Sequence, residues 1–141
     1  MSTDAPVDVA TRFIAEIFVA GRVEAVDDLV TADFVSHGLP GSGPDVMKAA
    51  IERVAPALSN VRMEIQDTIS EGDRVAIRLE SSAVQSGEFM GMPPSGKRYT
   101  VEEIHVFRIA DGKVAEHWHQ FDTAGMMRQL GFMPGPGPTQ R

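Results

Sequence analysis

The sequence predicts an α+β fold, a cone in which N-terminal helices pack on a strongly curved, mostly antiparallel sheet. Three observations carry this expectation. Apolar residues recur at helical spacing as far as about residue 58, and from residue 61 they alternate with a period of two. Helices and strands are therefore segregated along the chain rather than alternating as in a parallel α/β protein. Finally, Asp111-Gly112 divides two strand patterns, a strong hairpin signal.

The first helix is expected over about residues 5–20. Val9, Phe13, Ile14, Ile17 and Phe18 share its inner side, and Gly21 stops it. A second, short helix is expected at about 23–31, followed by the apolar piece "ADFVSHG", which ends at His37 and Gly38. A third helix should open at "SGPD", where Ser42 and Asp45 resemble a capping box and Pro44 stands in the first turn. Val61, Met63 and Ile65, then Val75, Ile77 and Leu79, alternate with polar residues as half-buried strands do. "SGEFMGMPPSGKR" reads as a loop. Strands at about 98–110 and 113–121 form the hairpin, and a last helix at about 123–130 ends at Gly131.

The 141 residues suit one domain, expected over 1–141 with residues 1–6 and 133–141 as tails. The net charge of -7 and the lack of a basic cluster argue against nucleic acid as a partner. No cysteine is present, which excludes disulfides, thiolate nucleophiles and Cys-ligated zinc. Neither a signal peptide nor a membrane-spanning run is apparent, so a cytoplasmic protein with no membrane partner is expected.

A two-residue loop at Asp111-Gly112 sets a register, which a four-residue loop would keep and a three-residue loop would break. Phe107 then faces Glu116, His105 faces Trp118, Glu103 faces Gln120, and Val101 faces Asp122. Residues opposite one another share a face. Glu103, His105, Trp118, Gln120 and Asp122 are thereby expected to line one cavity, with His117, His119 and Phe121 on the other side of the sheet. A polar end on an aromatic wall suits a small, apolar, oxygenated ligand. Asp122 has two readings, an acid/base group in that cavity or the N-cap of the helix that follows. His117 and His119 are spaced as two metal ligands are, but no third is apparent, so no metal is expected.

The stretch "GEFMGMPPSGKRYTVEEIHVFRIADGKVAEHWHQFDTAGMMRQLG", residues 87–131, resembles the SnoaL-like polyketide cyclases, or ester cyclases, of the nuclear-transport-factor-2-like (cystatin-like) superfamily. The upstream "ADFVSHG" is similar to the segment that ends in a pocket histidine in many members, here His37. Order and spacing fit over about residues 7–131. The resemblance implies the cystatin-like cone and intramolecular aldol closure of a polyketide ester without metal or organic cofactor. It also implies Asp122 as the general acid/base and His37 as a pocket histidine that binds substrate; the register adds Glu103, His105, Trp118 and Gln120 as substrate-binding residues. A homo-oligomer, dimer or tetramer, is expected through the sheet. Other activities of the superfamily, as lyase, isomerase or hydrolase, remain open at this point, as does non-catalytic binding of a small molecule.

Overall fold

The computed structural model describes residues 4–133. The expected tails at 1–6 and 133–141 fall largely outside that range, and Pro6 already opens the first helix. Helix α1, Pro6–Phe13, runs on as a π-helical segment, Ile14–Val19. Its i→i+5 bond, from the Ala20 N–H to the Ala15 carbonyl at 3.0 Å, stacks residues five apart on one side. Phe13 and Phe18 consequently touch, with ring centroids 5.6 Å apart.

The second helix is shorter than expected. A 3₁₀ turn at Val23–Ala25 leads into α2, Val26–Leu29, and the chain then enters strand β1, Val30–Ser36. The sequence pattern did not mark this strand, because its burial alternates irregularly. Helix α3 spans Pro44–Val54, and Gly43, not Ser42, is its N-cap. Gly43 has φ 90, a conformation glycine adopts without the penalty of a Cβ, and no side chain caps this helix.

Strands β2 (Leu58–Glu71), β3 (Arg74–Gln85), β4 (Arg98–Ala110) and β5 (Lys113–Phe121) follow, and α4 (Thr123–Leu130) closes the described chain. The sheet order is β1-β5-β4-β3-β2, antiparallel except for β1 beside β5. The hairpin turn has positive φ at both Asp111 and Gly112, as a type I′ turn requires. This is the α+β cone expected from the sequence.

The expected β4–β5 register fails one step beyond that turn. Ile109 pairs with Val114, but Arg108 pairs with Glu116, leaving Ala115 as an extra residue on β5. Such a β-bulge shifts the ladder by one, and with a side-chain period of two every later residue changes face. Phe107 thus pairs with His117, His105 with His119, and Glu103 with Phe121. The bulge buries both Val114 and Ala115 and turns Phe121 toward the inside, which is the physical gain it provides.

Two apolar clusters hold the cone. One joins Phe13, Ile14 and Ile17 to Leu29, Phe34, Val75, Ile77, Leu79 and Phe107. The other joins Ala83, Tyr99 and Val101 to Met126 and Leu130 of α4. Past the end of β5, the Gln129 side chain takes its place beside β4. It accepts from the Thr100 N–H at 2.8 Å and donates to the Thr100 carbonyl at 2.9 Å. Buried Gln85 pins the 86–97 loop by donating to the Met92 and Pro93 carbonyls and accepting from the Ser95 N–H. That loop carries Phe89 to the cavity between the two clusters.

Candidate functional site

The cavity, about 110 Å³, is open to solvent on one side. Its walls are apolar: Phe18 from the π-helical segment, Leu58, Val61 and Met63 from β2, Phe89 from the loop, and Phe121 from β5. Among the described residues, four polar side chains interrupt them, namely Ser81, Tyr99, Glu103 and His119, and no Lys or Arg lines the cavity.

Glu103 is the centre of the polar group. One carboxylate oxygen, Oε1, accepts from His105 Nε2 at 2.9 Å and from His119 Nε2 at 2.8 Å. An ionised carboxylate only accepts, so both imidazoles must donate through Nε2. His105 Nδ1 lies 2.9 Å from His117 Nε2, and His117 Nδ1 lies 3.0 Å from Ser36 Oγ. With the rings neutral the protons fall in one order: Ser36 donates to His117, His117 to His105, and His105 to Glu103. Ser36, His105 and His117 are almost wholly buried, and the parallel strand β1 is what brings Ser36 to this chain.

The electrostatics follow from this wiring. Burial pushes the Glu103 carboxyl up, but hydrogen bonds from His105 and His119 outweigh it and hold the group at about 2. Burial lowers His105 against the opposing pull of Glu103. It lowers His117 well below the usual imidazole value, and the neighbouring histidines push the same way. Phe18 closes over all three inward rings, with centroids 5.1 Å from His105 and 5.6 Å from His117 and His119.

Glu103, His105 and His119 also carry the donor types that bind a divalent metal, with ligand atoms within 4.8 Å of one another. The hydrogen bonding opposes that use. His105 and His119 are stacked, their planes 13° apart and centroids 4.1 Å apart. Both Nε2 atoms are already committed to the same carboxylate oxygen, so a metal ion there would have to displace both hydrogen bonds. The arrangement is that of two N–H donors sharing a carboxylate.

Of the residues expected to line the cavity, Glu103 does so, and His105 stands directly behind it. Trp118, Gln120 and Asp122 are placed elsewhere because the bulge inverts β5, and His37, just past the end of β1, is exposed. Trp118 and Gln120 face outward. His37 stacks on Trp118 at 4.6 Å and meets Glu116 Oε2 at 2.9 Å, and Arg74 lies 5.2 Å from the Trp118 ring centroid. Asp122 is exposed and is the N-cap of α4, accepting from the Gly125 N–H at 2.9 Å. A Cβ on Gly125 would collide with that carboxylate. His119, Ser81, Tyr99 and Phe18 were missed as cavity residues. The signal for His119 was the pair Val114-Ala115, two adjacent apolar residues that break the alternation where the bulge lies.

The cap reading has a direct check. Asn caps as well as Asp, so Asp122→Asn should keep both stability and function, whereas Asp122→Ala should cost about 1 kcal/mol in chemical denaturation. A large loss of activity in the Asn variant at unchanged stability would return Asp122 to the chemistry.

A curled sheet holding one buried carboxylate–imidazole network beside a largely apolar cavity defines an α+β cone of the nuclear-transport-factor-2-like type. Residues 8–130 match the sequence profile of the SnoaL-like polyketide cyclase family. The chain is 30% identical over 144 residues to aklanonic acid methyl ester cyclase DnrD of Streptomyces peucetius, covering 98% of this chain and 97% of that one. It is 31% identical over 120 residues to nogalonic acid methyl ester cyclase of Streptomyces nogalater, covering 81% and 89%. Among solved structures, TsrD from Streptomyces laurentii superposes with a TM-score of 0.82 at 30% identity, over 94% of this chain and all of that one. Wild-type IdmH from Streptomyces antibioticus gives 0.77 at 28% identity, over 91% and 99%. The chain belongs to the SnoaL-like polyketide cyclase family. No helix among the described residues is long and apolar enough to cross a membrane.

Proposed function

We propose that this protein is a cofactor-independent cyclase that closes a ring in a small, neutral, oxygenated polyketide-type ester by an intramolecular aldol reaction. The observation that carries the reading is the Glu103 carboxylate, buried at an otherwise apolar cavity and bridging two imidazoles. Glu103 holds His119 by Nε2, so the lone pair of Nδ1 is the free basic site of that ring. Nδ1 has no partner among the described residues. His119 takes a proton from the carbon between two carbonyls, and the C–H electron pair becomes an enolate. The enolate carbon forms a C–C bond to a ketone carbon of the same molecule, the carbonyl pair moves to oxygen, and His119 returns the proton to that alkoxide. Glu103 stays ionised and stabilises the transient imidazolium, as the carboxylate of a catalytic triad does. The cavity of about 110 Å³ is smaller than the roughly 150 Å³ that holds benzene, so the reacting carbon reaches in and most of the substrate lies at the open mouth.

The test is incubation with aklanonic acid methyl ester and chromatographic detection of ring closure. The free acid should react at least about tenfold more slowly, because a second carboxylate near Glu103 meets like charge and no cation lines the cavity. Absence of any reaction across a panel of such β-keto esters would remove the aldol reading. The reading includes a homo-oligomer through the outer face of the sheet, where Ile69 and Ile104 are 68% and 50% exposed. Light scattering decides that point.

A further inference from the structure

Ser81 and Tyr99 are 1% and 5% exposed, yet neither hydroxyl has a hydrogen-bond partner among the described residues. Every fully buried side-chain nitrogen and oxygen among those residues does have one. Both statements hold together only if the two oxygens are accessible, and the space both residues line is the cavity. Two hydroxyls that open onto an apolar cavity without a protein partner are available to a ligand, and one that buried them without bonding them would meet a desolvation cost.

Their placement is orderly. Ser81 pairs with Val101, and Leu79 pairs with Glu103, so Ser81 stands two residues, about 7 Å, along the sheet from the carboxylate. Tyr99 pairs with Ala83, one further step in the same direction. Glu103, Ser81 and Tyr99 therefore form a row along the inner face of β3 and β4. Burial, with the charge of Glu103 adding to it, pushes the Tyr99 phenol up to about 12, so it remains a proton donor throughout the working range of pH.

We propose that Ser81 and Tyr99 are the substrate-binding donors of this cavity, holding two oxygen substituents along one edge of a neutral ring whose reacting carbon faces His119. The inference rests on the cyclase reading for the reaction, but not for the binding. The ligand class it names is a 1,3-dioxygenated ring, phenolic or β-diketonic, and the nearer donor, Ser81, is placed to hold the enolate oxygen as charge develops.

The probes are orcinol (3,5-dihydroxytoluene) and toluene, with dissociation constants measured by NMR titration on the wild type, Ser81→Ala and Tyr99→Phe. The wild type should bind orcinol more tightly than toluene. Each substitution should weaken orcinol by about three- to tenfold, the range of a neutral hydrogen bond, and leave toluene unchanged. No preference for orcinol in the wild type, or an equal loss for both probes in the variants, overturns the proposal. Turnover of the methyl ester by the same three proteins separates the two readings. If the orcinol pattern holds and no ester reacts, the anchoring stands and the cyclase reading falls. If the ester reacts and all three proteins bind orcinol alike, the reverse is true.

Discussion

His119→Gln should lower turnover by about 10²–10⁴-fold, the range for loss of general acid/base catalysis, while the melting temperature changes little. The side chain is partly open to the cavity, so glutamine can keep an N–H toward Glu103 without leaving a buried group unpaired. What it lacks is the basic nitrogen. Glu103→Gln should lower turnover by a similar factor for a different reason. The amide offers one acceptor oxygen and two N–H donors where two imidazole N–H groups now converge. The amide oxygen can accept from both imidazoles as Oε1 does now, but it carries no charge, and the imidazolium formed in the reaction has no anion beside it. Glu103→Gln should also destabilise the fold, by about 1–3 kcal/mol, because two charge-assisted hydrogen bonds become neutral ones. The pair of variants thus separates base from anchor. Equal activity of wild type and His119→Gln would move the base elsewhere.

Stability should fall as the pH drops below about 6.5, well before ordinary surface carboxylates titrate. His105 and His117 have folded-state values below the unfolded value of 6.5, so the native state holds them neutral while the unfolded chain gains protons. Their full contribution is present above 6.5 and is lost as the pH falls from there. With two such groups the slope approaches about 2.7 kcal/mol per pH unit where both differ in protonation between the states. Glu103 acts in the same direction at lower pH. Its carboxyl is lowered from 4.5 to about 2, so its contribution is full above 4.5 and is lost between those values. The groups around the two histidines leave no easy route for a proton, since Ser36, Glu103, Phe13, Phe18 and Phe107 already occupy their ring edges and faces. Urea denaturation at pH 8, 6.5 and 5.5 measures this, and a flat profile across that range would contradict the buried neutral chain.

Much of the fold was legible in the sequence. The strands at 98–110 and 113–121 and the helix at 123–130 stand where the pattern put them, because period-two alternation, an Asp-Gly turn and a terminal glycine are local signals. What escaped was non-local or irregular. Strand β1 gains its identity from a parallel partner more than 80 residues away in sequence. The π-helical segment differs from an α-helix by one residue per turn and leaves little trace in apolar spacing. The bulge at Ala115 had the greatest consequence, since one extra residue moved His119 into the cavity and Trp118 and Gln120 out of it. His105 proved wholly buried rather than lining the cavity, but Glu103 was found because β4 carries no such irregularity. Ser81 and Tyr99 were not, because a lone hydroxyl on an apolar strand carries no pattern of its own.

Positions 122 and 125 should behave as a single unit of heredity. The Asp122 carboxylate fills the space that any side chain at 125 would need, so a mutation of Gly125 must expel it and forfeit the bond to the N–H it now caps. Glycine inside a helix is otherwise disfavoured by roughly 0.5–1 kcal/mol against alanine, a standing pressure to replace it. The two residues should therefore persist or disappear together across descendants of this chain. Co-inheritance of an aspartate and a glycine three positions apart would then record a folding constraint, and it would survive even in lineages that have lost all activity.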